Sequence, residues 1–417
     1  MYHVSGPADQ HIDSLLNLPH YLENPPLSAE KIHGPVLLPV YVPAVFLGLA
    51  GQAVLILLPL YVLEIGGSLA AAATAVGFRG LGMMAFDIPA GILAARVGDK
   101  VVMLLAIALV GIAQFAYTLT DNMSLIYLIA FLNGAGGSSF LLGRMSYVTA
   151  VCTPATRGRV IAMMAGSMRV TALIGPLAGA LLATHEGYAA TFYAAAVCAG
   201  LAFAAILFFA LHERPLAREL KFETVITLCV KYRRVFATAG VAAITFMLMR
   251  SARTVLIPLI GTSIGLDVAT IGLVVSISAA VDVALFYPAG LIMDRYGRRA
   301  TAVPSSALLA LSMASMALIS GFKSLVATAV LVGIANGLST GIVMTLGTDL
   351  APATRRSEFL GLWRLLTDVG ATAGPMAIGL VVAVAPISVA CLSVAGLGAL
   401  GSFVVYRFVE ETLVRNT

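Results

Sequence analysis

The chain has 417 residues, of which 60% are hydrophobic and 11% charged, with a formal net charge of +5. Soluble domains carry about 25% charged residues, so the composition excludes an ordinary soluble protein, and basic residues scattered along the chain exclude a nucleic-acid-binding domain. The four cysteines (Cys152, Cys198, Cys229, Cys391) lack metal-ligand spacing and read as small packing residues, so neither a metal, a cofactor nor a structural disulfide is expected.

Residues 1–34 are polar and hold four of the six histidines, His3, His11, His20 and His33. Their spacings of 8, 9 and 13 fit no compact metal site, and the stretch lacks the basic start and cleavage-like site of a signal peptide. It reads as a cytoplasmic tail. Apolar stretches of about 20 residues follow, each long enough to cross roughly 30 Å of hydrocarbon. Twelve are read, near residues 36–63, 68–95, 101–119, 124–152, 160–184, 188–211, 235–261, 270–293, 300–320, 324–351, 357–383 and 387–408. They are continuous and Leu/Ala-rich rather than alternating, which predicts helices and not a barrel. The layout is therefore a tail (1–34), a six-helix bundle (35–211), a charged linker (212–234), a second six-helix bundle (235–408) and a short tail (409–417). The linker begins at His212-Glu213-Arg214-Pro215; a helix along the inner membrane face is one reading of it, a solvated positive loop the other.

With both termini in the cytoplasm, 18 of the 25 Lys/Arg fall on the inner side, only Lys323 falls outside, and six arginines lie within spans. The reverse topology contradicts the positive-inside rule. The same landmarks recur in both halves. Leu57-Leu58-Pro59-Leu60 returns as Leu256-Ile257-Pro258-Leu259, Pro89-Ala90-Gly91 as Pro288-Ala289-Gly290, and Gly175-Pro176 as Gly374-Pro375, each at an offset of 199. Pro154-Ala155-Thr156-Arg157 returns as Pro352-Ala353-Thr354-Arg355 at 198. One long period means two copies of one design, and in a membrane such halves frame a transport site.

Ionisable residues inside the hydrocarbon mark the interior. Arg79 and Asp87 lie in the second span, Arg144 in the fourth, Arg169 in the fifth, Arg250 and Arg253 in the seventh, Asp282 in the eighth, and Arg364 and Asp368 in the eleventh. The third, sixth, ninth and twelfth spans hold none at depth. A charge at the bilayer centre costs at least about 3 kcal/mol, so the charged spans must face protein or water and the others are free to face lipid.

Gly290-Leu291-Ile292-Met293-Asp294-Arg295-Tyr296-Gly297-Arg298-Arg299 resembles the Gly-x-Leu-x-Asp-Arg-x-Gly-Arg-Lys loop of the major facilitator superfamily, and Gly91 to Lys100 is its first-half copy with Ala95 at the Asp position. Asn133-Gly134-Ala135-Gly136 is similar to that family's fourth-helix Arg-x-x-Gln-Gly-x-Gly, with Ala130 at the Arg position. Gly175-Pro176-Leu177-Ala178-Gly179 resembles the core of the fifth-helix motif of its drug/proton antiporters, with Thr171 where a glycine is expected. The resemblance implies an all-α membrane protein of twelve transmembrane helices in two pseudo-symmetric bundles. It implies a cavity lined by the first, fourth, seventh and tenth helices, and a latch in which Asp294, Arg295 and Arg298 hold the halves. The second, fifth, eighth and eleventh helices would meet between the halves.

The expected function is proton-coupled export of a small amphipathic or anionic organic compound by alternating access, as an antiporter or efflux carrier in a bacterial inner membrane. Uptake of an organic anion, and a non-transporting sensor, are the alternatives. Arg144, Arg250, Arg253, Gln52, Asn133 and Asn336 are candidate substrate ligands; Asp87 and Asp282 are candidate proton carriers, since burial favours the neutral acid while a nearby arginine favours the ion. A static pair with Arg79 or Arg144 is a competing reading for both aspartates, and a structural pairing of Arg250 and Arg253 with Asp282 and Asp87 is the other. Arg364 and Asp368 are four apart and can satisfy each other, and Arg169 stands at the pseudo-equivalent of Asp368, which admits a cross-half pair. Gly175, Pro176, Gly374 and Pro375 are expected to let helices approach and bend. There is no P-loop pattern, and His185 and His212 lie at span ends, so no enzyme is expected. The expected partners are a small molecule, protons and lipid, with the chain acting as a monomer.

Overall fold

The computed structural model describes residues 38–211, 222–352 and 355–412. The histidine-bearing tail, residues 212–221 of the linker and residues 413–417 lie outside them. Every regular element among the described residues is helical. The first six spans are Leu38–Glu64, Leu69–Val97, Asp99–Ala116, Met123–Val151, Pro154–Glu186 and Tyr188–Phe209. The seventh, Val241–Ser263, is entered through a π-helical turn at Phe236–Gly240; then come Val268–Tyr296 and Arg298–Met316. The tenth is Phe322–Leu338 continued by Ile342–Leu350 after a break at Ser339 to Gly341, and Arg356–Val382 and Ile387–Phe408 complete the set. The described part of the linker holds one helix, Phe222–Lys231, which touches the eleventh span.

Eleven of these helices are long and apolar enough to cross a membrane. The ninth is diluted by two arginines and several hydroxyl residues. Those hydroxyls are turned back onto their own helix: Thr301 donates to the Gly297 carbonyl at 3.1 Å, Ser305 to Thr301 at 2.8 Å and Ser312 to Leu309 at 2.7 Å. Bonded this way, the helix offers its neighbours few free polar atoms. It packs on the tenth and twelfth spans as the third packs on the fourth and sixth.

The duplication is visible at the level of single bonds. Ser68 caps the second span and Asp267 the eighth, each accepting from the backbone amide three residues on, at 3.1 and 3.2 Å. The Thr270 hydroxyl and those amides also hold the Asp267 carboxyl below its ordinary range. Lys100 donates to the carbonyls of Leu207 (3.0 Å) and Ala210 (2.7 Å) at the end of the sixth span, and Arg299 donates to Tyr406 at the end of the twelfth. Arg157 reaches the Thr149 carbonyl at 2.8 Å and Arg356 the Thr348 carbonyl at 3.3 Å. This last pair corrects the sequence alignment: Arg356, not Arg355, is the counterpart of Arg157, so the offset is 199 here too. Arg355 instead takes φ 61° at the head of the eleventh span, the single non-glycine with positive φ among the described residues. That left-handed residue costs about 1–2 kcal/mol and absorbs the register difference.

Within each half the helix pairs are the same: first with fifth and sixth, second with fourth; then seventh with eleventh and twelfth, eighth with tenth. Between halves the second span packs on the eleventh and the fifth on the eighth. The contact of the second and eleventh runs from Thr74 against Gly379, through Gly77 against Met376 and Gly80 against Thr372, to Asp87 against Arg364. Beyond that point, toward the loops that carry Gly98 and Gly297, Ile88, Ile92, Gly361, Met163 and Leu291 are exposed. The halves are thus closed on the side away from those loops and parted on the loop side.

Gly175 and Gly374 show why the repeated motif is needed. A Cβ at Gly175 would lie 3.0 Å from the Leu49 carbonyl oxygen, and one at Gly374 would lie 2.5 Å from that of Leu248. Pro176 and Pro375, both buried, follow directly and remove a helix hydrogen bond there. Gly175→Ala and Gly374→Ala should therefore each destabilise the purified protein by about 1–3 kcal/mol. Gly166→Ala, whose Cβ meets nothing within 4 Å, should leave the unfolding temperature unchanged or raise it; thermal unfolding in detergent checks all three.

Candidate functional site

The seventh, eighth and tenth spans converge on Asp282. Its Oδ2 lies 3.6 Å from Arg253 Nη2 and accepts from the Asn336 side-chain amide, while its Oδ1 accepts from the Thr340 hydroxyl at 3.4 Å. Asn336 and Thr340 are four apart and share a face of the tenth span. The Asp282 carboxylate is thereby held from two helices. Arg253 is one turn from Arg250, and both lie close enough to Asp282 to feel its charge. Arg169, from the fifth span of the other half, completes the group: its guanidinium lies 3.5 Å from the centroid of the Phe286 ring, one turn along the eighth span from Asp282. Cation–π contact with an exposed ring such as Phe286 is worth about 0.5–1 kcal/mol, and it replaces the cross-half pair with Asp368 that the sequence admitted.

Three arginines thus surround one carboxylate. Arg253 has an ion-pair partner and Arg169 a ring, but half-buried Arg250 makes no hydrogen bond and no ion pair among the described residues. Its guanidinium is a donor fork without an acceptor.

The other buried charges sort into separate places. Arg364 bridges two carboxylates, with Nη2 3.5 Å from Asp87 Oδ1 and Nε 3.5 Å from Asp368 Oδ2. The expected i, i+4 pair is present, and Asp87 joins it from the other half. Asp87 Oδ1 also accepts from the Ser138 hydroxyl of the fourth span. Arg79 donates from Nε to Asn133 Oδ1 at 3.2 Å, so these two expected site residues occupy each other. Neither Arg79 nor Arg144 is the partner of an aspartate, which corrects the static pairs with those two arginines allowed from sequence. Arg144 is 3% exposed, beside the Phe140 ring and the Met168 sulfur, apart from Arg250 and Arg253. Gln52 is half-buried on the first span with its Cβ against Gly175, at the position that Ser251 takes in the seventh.

The residues expected to latch the halves make their recorded contacts within the second half. Arg298 Nε lies 2.9 Å from Asp349 Oδ2 of the tenth span, while Asp294 is 72% exposed and 3.8 Å from Arg298 Nη1. Glu411 accepts from the backbone amides of Arg298 (2.8 Å) and Arg299 (3.0 Å), closing the start of the ninth span. Arg295 reaches only the neighbouring Tyr296 ring. Asp349, Glu411, Ser138, Thr340 and Phe286 were not singled out in the sequence. The spacing of Asn336 and Thr340 was a usable signal, and nothing comparable marked the other four.

This arrangement, two bundles around a seam of buried charge, is that of a membrane carrier. The family model described as the Major Facilitator Superfamily matches residues 41–250 and 238–417, and the chain belongs to that superfamily. Among curated relatives it is 26% identical over 172 residues to a hexuronate transporter of Bacillus subtilis. It is 30% identical over 98 residues to an MFS-type transporter of Aspergillus fumigatus. These matches span 41% and 24% of this chain and 40% and 23% of those proteins. In fold it is similar to the nucleoside transporter NupG, with a TM-score of 0.69 and 15% identity over 90% of this chain and 99% of that one. It is similar also to a POT family transporter crystallised with 5-aminolevulinic acid, with a TM-score of 0.73 and 13% identity over 89% and 95%. At these identities the structural likeness shows the fold alone.

Removing Asp282 should leave the partly buried Arg253 unpaired, so Asp282→Ala is expected to destabilise by about 1–3 kcal/mol. In a double-mutant cycle with Arg253→Ala the coupling should reach about 0.5–3 kcal/mol. Additive losses in thermal unfolding would contradict the pairing.

Proposed function

We propose that the chain carries a small organic anion, a hydroxylated carboxylate, across the membrane by alternating access, coupled to protons. The observation that supports this is the unpartnered guanidinium of Arg250 beside Arg253 and Arg169, with one carboxylate among the three. A carboxylate arriving from the parted side accepts the Arg250 fork in a charge-assisted bidentate pair and offsets the surplus positive charge. Half-buried Gln52 on the cavity-lining first span is placed to hydrogen-bond the hydroxyls. Asn336 acts through Asp282, and Asn133 through Arg79, so both position rather than touch the substrate. Arg144, remote from the cluster, is assigned to packing. The named substrate of the Bacillus subtilis relative, a hexuronate, is an anion of this kind.

Asp282 is the coupling group of this site. Proton entry there releases Arg253 to the substrate, and proton loss restores the Arg253 pair and expels the anion. Export in exchange for protons uses the same chemistry in the opposite direction. The Gly175-Pro176 motif that suggested a drug antiporter is equally present at Gly374-Pro375, where it serves helix approach, so it lends export no particular support.

Proteoliposomes loaded with a pH gradient test the reading. Labelled glucuronate or galacturonate should move with the gradient and against competing carboxylates. Arg250→Ala should weaken binding about 10–100-fold, the loss of a charge-assisted bond of about 1.5–3 kcal/mol. Binding of these anions without flux would identify a sensor on a carrier fold, and binding confined to neutral compounds would refute the anion site.

A further inference from the structure

The interface of the second and eleventh spans holds a charge imbalance of the opposite sign. One guanidinium, Arg364, touches both Asp87 and Asp368, 3.5 Å from each. Asp87 is about nine-tenths buried and Asp368 nearly so. Asp87 Oδ2 is buried without a hydrogen-bond donor, and Asp368 Oδ2 has only the 3.5 Å approach of Arg364 Nε, although Oδ1 of Asp87 is served twice, by Ser138 and Arg364. The duplication locates the pair independently. At the offset of 199, Asp87 corresponds to Phe286 and Asp368 to Arg169, and those two side chains stack at 3.5 Å in the matching interface of the fifth and eighth spans. Positions that touch in one interface carry a cation on a ring; in the other they carry two acids on one arginine.

Two carboxylates on one guanidinium leave one negative charge over, and like charges this close cannot both stay ionised. No other cation among the described residues serves them. Arg79, eight residues earlier on the second span, is bonded to Asn133; the fourth span offers only Ser138, with Arg144 against Phe140 and Met168; the seventh span's Arg250 and Arg253 face Asp282. The first and third spans bring charges only at their ends, Glu64, Asp99 and Lys100. A sodium ion would sit directly against Arg364, which disfavours it. A proton held between the carboxyls supplies the donor that Asp87 Oδ2 lacks.

We propose that Asp87 and Asp368 form one proton site shared between the two bundles, distinct from Asp282, and that its occupancy sets whether the second and eleventh spans stay joined at mid-depth. With one proton held between the carboxyls the pair is drawn together on Arg364. When the O–H bond breaks and the proton leaves to water on the parted side, two carboxylates repel across the seam and the contact loosens. The site lies where the run of contacts from Thr74–Gly379 to Asp87–Arg364 ends, so it controls the last closed link. It rests on proton coupling in the reading above but not on the identity of the cargo.

The test uses the full chain purified in nanodiscs without substrate. Infrared difference spectra between acidic and alkaline pH should show a protonated-carboxyl band that is lost in Asp87→Asn and lost in Asp368→Asn, since each removes the shared site. In Asp368→Glu the band should persist and move in frequency, which keeps the assignment testable should an Asn variant fail to fold. In a background with the native cysteines replaced, spin labels at Ile92→Cys and Gly361→Cys, both exposed in the parted region, should separate further as pH rises in the wild-type pair and not in Asp368→Asn. A band that survives Asp368→Asn, a band unmoved in Asp368→Glu, or a distance change produced by sodium at constant pH would each overturn the proposal. Anion binding is measured on the same samples, so loss of the cargo reading leaves the carboxyl signal standing and the reverse.

Discussion

Charge is tolerated inside hydrocarbon only when protein or water takes it in, and the architecture of this chain follows from that single constraint. Eight of the nine ionisable residues at depth are held in one of three places: Asp282 with Arg253, Arg250 and Arg169; Arg364 with Asp87 and Asp368; and Arg79 with Asn133. The ninth, Arg144, lies sealed against an aromatic ring and a sulfur. The charge-free spans take the outside, with Ile112, Leu311, Phe208 and Leu400 exposed on the third, ninth, sixth and twelfth. Lipid-facing and seam-facing helices are thereby sorted by the cost of burying an ion, several times larger than any packing preference.

The two halves keep their structural bonds and differ in their charges. Caps, helix-end clamps and helix approaches recur at 199 residues: Ser68 and Asp267, Lys100 and Arg299, Gly175 and Gly374. None of the buried acids does so. The counterpart of Asp282 is Met83, that of Arg250 is Gly51 and that of Arg253 is Val54. A frame that is twofold and a polar lining that is not means that each seam has its own chemistry: cationic around Arg250, acidic at Asp87 and Asp368. On the reading proposed above, such a lining would take an anion at one place and a proton at another without the two competing for the same atoms.

The helices and their order were legible in the sequence because hydropathy is a strong, local signal; buried ions marked the inward-facing spans, and the four seam spans among them followed from the family resemblance. The i, i+4 pair of Arg364 and Asp368 was legible as a local signal too. The partners of Asp87 and Arg169 were not, and the pairing of Asp282 with Arg253 was only one of several readings open to it. When a helix is apolar on all sides, its rotation and vertical stagger against a neighbour leave no periodic trace, and these decide whether Arg253, Arg79 or Arg144 meets a given carboxylate. The latch misled for a different reason. Its sequence pattern points to Asp294, whereas the short contact is made by Asp349, and the helix start is closed by Glu411, residues remote in sequence that only the tertiary fold brings near. The one-residue slip at Arg355 was hidden because a left-handed residue leaves no mark in composition.

The ninth span carries a consequence for how the protein is made. Its serines are quiet only once each has curled onto a carbonyl and its flanks are covered by the tenth and twelfth helices. Presented singly to lipid, a span this rich in hydroxyl residues is expected to partition less readily than its apolar counterpart, the third. Its settling in the bilayer is then expected to lean on the tenth and twelfth helices that cover it, a dependence the first bundle does not share.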